Sequence, residues 1–91
     1  MNTDNSLENW RKQIDALDAK LLNILAERIN VVKEIGKYKK AHGIRPLDQK
    51  RWQEVLRSKL IKARSLNISE KFIKNLYNLI HEHSLEIENK S

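Results

Sequence analysis

An all-α fold is what this sequence predicts, and three observations carry the prediction. Apolar residues return at heptad spacing from Leu7 to Tyr38, the 91 residues hold only two Gly and one Pro, and no stretch reads as strand. With 33% charged and 40% hydrophobic residues, the composition suits one small helical domain spanning residues 1–91. A two-domain enzyme is excluded.

The first helix is written in Leu7, Trp10, Ile14, Leu17, Leu21 and Ile24, then Val31, Ile35 and Tyr38. This is the a/d pattern of a helix packed along its length. Its first glycine is Gly36, so the helix is expected from about residue 6 to 41. At 1.5 Å per residue such a helix is roughly 54 Å long, wider than a globule of this size. A chain this short buries only about two-thirds of its unfolded surface, so a second chain is expected to cover the long helix. Gly43 is a natural stop and Pro46 a natural start for a second helix over about 47–64, presenting Trp52, Val55, Leu56, Leu60 and Ala63. Ser69 can cap a third, over about 69–88, with Glu70 in its first turn and Phe72, Ile73, Leu76, Tyr77, Ile80 and Ile87 as its apolar face. The last residues are expected to fray.

The charge narrows the partner. Eighteen Lys+Arg against 12 Asp+Glu give +6, which points to nucleic acid, an acidic membrane surface or a small polyanion. No cysteine means no disulfide, no thiolate nucleophile and no Cys-based zinc site. His42, His81 and His83 are too few and too poorly spaced for a metal cage, so no metal is expected. No stretch approaches the roughly 18 apolar residues of a membrane span, and Met1 to Ser6 lacks the apolar core of a signal peptide. A cytoplasmic protein is expected.

Polar residues stand where the pattern asks for apolar ones. Arg28 occupies an a position between Ile24 and Val31. It is either an ion-paired or solvated interruption of the seam or an anion site. Lys39 follows three turns later, about 16 Å along the same face, and both side chains can reach a compact dianion between them. Arg11 lies roughly 25 Å before Arg28 and cannot easily share its ligand within one chain. An antiparallel partner would bring its Arg11 there in a two-fold dimer, and a solvated surface arginine is the simpler alternative. Asp48 and Arg51 read equally as site residues or as a capping carboxylate with an i,i+3 ion pair. Ser84 and Glu88 extend the apolar stripe of the third helix, and Glu88 reads equally as an exposed, fraying end.

These residues carry a resemblance. Arg11-Lys-Gln-Ile-Asp-Ala-Leu-Asp-Ala-Lys-Leu-Leu-Asn-Ile-Leu-Ala-Glu-Arg28, followed by Glu34-Ile-Gly-Lys-Tyr-Lys39, resembles the first helix of the all-α chorismate mutases. The likeness continues through Pro46, Asp48 and Arg51 to Ile80-His-Glu-His-Ser84, almost the whole chain. It implies an intertwined homodimer of three-helix chains with two equivalent sites. It implies conversion of chorismate to prephenate for phenylalanine and tyrosine biosynthesis, a Claisen rearrangement without cofactor, metal or covalent intermediate. In those terms Arg28 and the other chain's Arg11 hold the substrate carboxylates. Lys39, helped by Glu88, meets the ether oxygen, Asp48 binds the ring hydroxyl, Arg51 supports the carboxylate network, and Ser84 lines the pocket. Cations that clamp a flexible dianion and meet developing charge suit such a reaction.

The sequence departs from the family pattern in two places. The second helix is one residue short after Pro46, and a gap there aligns Asp48 and Arg51, whereas an ungapped register substitutes Gln49 and Trp52. The family's frequent hydroxyl-binding glutamate is here Trp52, a core or wall residue, which leaves the hydroxyl to Asp48, backbone or Gln53. Glu88 stands where many bacterial members carry glutamine and fungal members glutamate. A carboxyl donates only when protonated, so activity is expected to fall as rising pH ionises Glu88.

Rival readings remain. The same fold can carry isochorismate-pyruvate lyase activity, and prephenate against pyruvate as product decides between them. A basic nucleic-acid-binding helical dimer would use Lys33, Lys37 and Lys40, but the chain has no recognition-helix motif and only five aromatics, so no nucleic acid is expected. A non-catalytic regulatory module is a third reading, since similar domains pair with an enzyme of aromatic biosynthesis.

Overall fold

The computed structural model describes residues 5–91, in three α-helices: α1 (Ser6–Ala41), α2 (Gln49–Ser65) and α3 (Glu70–Asn89). The chain is all-α, with no strand among the described residues. Met1 to Asp4, on which the signal-peptide reading partly rests, lie outside them. No helix of the described residues is long and apolar enough to cross a membrane.

Helix boundaries follow from local chemistry. At the end of α1, Ile44 N–H donates to Lys39 O at 2.8 Å and Gly43 N–H to Lys40 O at 3.4 Å, with Gly43 at φ 66°. This Schellman pair needs a left-handed residue, which glycine adopts without strain. The end of α2 repeats it: Ile68 N–H donates to Ala63 O at 2.9 Å, Asn67 N–H to Arg64 O at 3.2 Å, and Asn67 takes φ 58°. Asparagine is the residue after glycine that tolerates this region. Ser69 Oγ accepts from Phe72 N–H at 3.1 Å and caps α3.

The start of α2 differs from the sequence expectation. The helix begins at Gln49 rather than near Leu47, because Asp48 Oδ1 accepts from Arg51 N–H at 3.0 Å and makes Asp48 the N-cap. A side-chain acceptor for an orphan amide outcompetes the backbone preorganisation offered by Pro46.

The chain divides into two units, through Val31 and from Val32 onward. In the first, α1 carries an apolar ridge open to solvent: Leu7, Trp10, Ile14, Leu17, Leu21 and Ile24 are each 54–61% exposed. In the second, Val32 near the end of α1, Ala63 of α2 and Ile73 of α3 are buried, all at most 9% exposed, and α2 packs on α3. Burying a Val or Ile side chain stabilises by about 1.5–3 kcal/mol, so this core is modest. Trp52 of α2 stacks on His81 of α3, with ring centroids 3.9 Å apart and planes 7° apart. Phe72, read as part of the apolar face of α3, is 57% exposed.

Candidate active site

The second unit brings together two of the residues singled out in the sequence. Lys39, in the last turn of α1, places Nζ 2.7 Å from Glu88 Oε1, near the end of α3. Their side chains are 20% and 10% exposed. Glu88 is therefore no fraying surface residue: its carboxylate is held in the interior, where an unpaired charge would be costly. Lys39 Nζ also donates to Pro46 O at 2.6 Å, which ties the α1–α2 connection to the pair. Glu88 Oε1 is buried and accepts no hydrogen bond. Its contact with the ammonium is thus an ion pair lacking hydrogen-bond alignment, and the oxygen keeps unused hydrogen-bonding capacity.

A cavity of about 280 Å³ adjoins the pair, lined among others by Gly36, Lys39, Ile44, Pro46, Glu88 and Ser91. One wall is cationic and one carries a carboxyl, so a polar atom of a bound molecule can meet an N–H donor and an acid within one site. An ammonium has three N–H groups, and Pro46 takes one.

The remaining predicted residues lie elsewhere. Asp48 and Arg51 are exposed and joined through the cap, with no part in lining this cavity. Ser84 is buried, 8% exposed, one turn before Glu88 on α3, and does not line the cavity either. Arg28 and Arg11 belong to the first unit, where both are exposed. Arg11 Nη1 sits 3.6 Å from Glu8 on its own helix.

Two features of the site were not read from the sequence. The Pro46 carbonyl has no residue-type signature, because every residue carries one. Gly36 did have a signal: it is the only glycine inside a helix.

A chain whose ionisable groups meet at a cavity between helix ends belongs to the class of all-α proteins with a polar interhelical site. Its family is chorismate mutase type II, to which the chain belongs: the family profile matches residues 10–89. The chain is 30% identical over 89 residues to a 4-amino-4-deoxychorismate mutase of Streptomyces venezuelae, covering 97% of this chain and 85% of that protein. It is 33% identical over 87 residues to a bifunctional chorismate mutase/prephenate dehydratase of Escherichia coli K12, and 28% identical over 85 residues to a T-protein of Haemophilus influenzae. Each of these two alignments covers 93% of this chain but only 22% of the relative, so the chain spans about a fifth of those proteins.

Proposed function

We propose that the protein is a chorismate mutase, rearranging chorismate to prephenate on the route to phenylalanine and tyrosine. The observation that supports this most is the Lys39 and Glu88 pair beside a cavity. In the rearrangement one C–O bond breaks as a C–C bond forms, and the ether oxygen gains negative charge. Lys39 donates a hydrogen bond to that oxygen, and Glu88, protonated, donates a second. Donors already in place where charge develops lower a barrier without reorganising.

In this reading residues 1–91 form a single domain that works as an intertwined homodimer in the cytoplasm. The apolar ridge of α1 packs against the second chain, and Arg28 with the partner's Arg11 grips the two carboxylates. Asp48 binds the ring hydroxyl, Arg51 supports the carboxylate network and Ser84 lines the pocket. A partner enzyme of aromatic biosynthesis fits the bifunctional relatives, whose names join a mutase to a dehydratase.

A second reading is favoured by the Streptomyces venezuelae relative, whose name gives a substrate with an amino group in place of the hydroxyl. Purified protein offered chorismate, 4-amino-4-deoxychorismate and isochorismate in turn separates the possibilities. Prephenate from chorismate with the highest kcat/KM is expected. Preferred turnover of the amino compound would establish the second reading, and pyruvate from isochorismate a lyase.

A further inference from the structure

Gly36 is buried in α1, one turn before Lys39, and its backbone is ordinary: the only glycine with positive φ is Gly43. Conformation therefore does not require glycine at this position. A glycine inside a helix costs about 0.5–1 kcal/mol relative to alanine, so what it supplies here is space. A Cβ at position 36 would stand 3.0 Å from Glu88 Cα and 3.0 Å from Ser91 Cβ, and would overlap Ser91 Oγ. Ser91 can turn aside, but Glu88 Cα is helix backbone and cannot.

We infer that Gly36 is a positioning residue: by letting the backbones of α1 and α3 meet, it sets the Glu88 carboxyl against Lys39. The inference rests on the roles proposed above for Lys39 and Glu88. Carbon atoms separate comfortably at about 3.5–4.0 Å, so a methyl group at position 36 pushes the last turn of α3 outward by a few tenths of an ångström. Lys39 stays on α1 and Glu88 moves with α3, which lengthens their 2.7 Å contact. A misplacement near 1 Å can cost about 10²-fold in rate, so a few tenths are expected to cost up to about tenfold.

The test is Gly36→Ala, made alone and in a Glu88→Ala background. Alone, kcat on chorismate is expected to fall about 3- to 10-fold with KM changed less than about twofold. In the Glu88→Ala background the further loss is expected to shrink below about twofold, because the displaced group is already gone. An equal loss in both backgrounds marks a general structural effect and overturns the inference, as does wild-type activity in Gly36→Ala. Adding Ser91→Gly removes two of the three close atoms and supplies a variant that folds should the single one not. Full recovery of kcat in that pair also overturns the inference, because it places the conflict at Ser91 rather than at the Glu88 backbone. A crystal structure of the variant reads the contact without activity: lengthening by a few tenths of an ångström is expected, and an unchanged contact refutes the inference. Absence of chorismate turnover in the wild type removes the proposed function but leaves this last measurement decisive.

Discussion

Lys39 Nζ lies 2.7 Å from Glu88 Oε1 while donating to Pro46 O at 2.6 Å, so one ammonium joins the end of α1, the end of α3 and the connection between α1 and α2. Its removal is therefore expected to act on structure and, in the proposed role, on chemistry as well. Lys39→Ala is expected to lower kcat on chorismate roughly 10²–10³-fold, the effect of deleting one donor to developing charge. Removing one partner of a buried pair costs up to about 3–5 kcal/mol, and the partial exposure here makes the lower end the relevant figure. Chorismate absorbance gives the rate and thermal unfolding the stability. A variant that unfolds earlier but keeps wild-type kcat would confine Lys39 to structure.

The hydrogen bond proposed for Glu88 is tested by exchanging its carboxyl for an amide. Its carboxyl donates a hydrogen bond only when protonated, whereas an amide donates at every pH. Glu88→Gln is expected to keep kcat on chorismate at or above the wild-type value, whereas Glu88→Leu, similar in size but without a donor, is expected to lose about 10²-fold. Equal kcat in Glu88→Gln and Glu88→Leu excludes hydrogen-bond donation by Glu88.

Asp48 caps α2 and is proposed to bind substrate, and one pair of substitutions separates the two. Its Oδ1 caps α2 through Arg51 N–H at 3.0 Å, and the proposed site asks it to bind a ring hydroxyl as well. Asp48→Ala is expected to cost about 1 kcal/mol of stability through the lost cap. Asp48→Ser keeps an equally good cap, so stability returns while KM for chorismate stays about tenfold raised, near 1.4 kcal/mol. Wild-type KM in the serine variant would leave Asp48 as a cap and nothing more.

These outcomes trace how far the sequence can be read. The heptad run of α1, the stop at Gly43 and the cap at Ser69 follow from local rules, and each stands where spacing and residue type put it. The start of α2 does not, because Pro46 and Asp48 both offer a start and only the pairing of Asp48 with Arg51 N–H decides between them. Asn67 escaped notice because its signal is a left-handed φ, a property of the closed turn. Glu88 could be read as a fraying end or a site residue. What decides is the meeting of α1 and α3 at Gly36, a contact between positions 52 residues apart in sequence, which no local pattern encodes.

The ridge on α1 gives a prediction about assembly. Leu21 is 54% exposed in the single chain, so Leu21→Asp removes little that one chain buries. Were the protein a monomer, this change would stay within about 0.5 kcal/mol of wild type. In the proposed homodimer it puts a carboxylate into an apolar interface, so the variant is expected to sediment near the 10.8 kDa of one chain and the wild type at about twice that. Equal sedimentation of the two proteins at one chain's mass would remove the homodimer, and with it the shared site.

Arg11 and Arg28 test that shared site directly. If each site takes Arg28 from one chain and Arg11 from the other, Arg11→Ala and Arg28→Ala homodimers are both impaired, since every site in each lacks one cation. A mixed dimer carries one site with both arginines and one with neither. After joint unfolding and random reassembly about half the dimers are mixed, so activity is expected to recover to about a quarter of the wild-type value. A site built within one chain gives no intact copy on mixing, and activity then stays at the level of the impaired parents. In the single chain Arg11 rests 3.6 Å from Glu8, with both side chains largely exposed. Such a surface pair is worth at most about 1 kcal/mol, so it does not prevent the guanidinium from turning to a carboxylate offered across the interface.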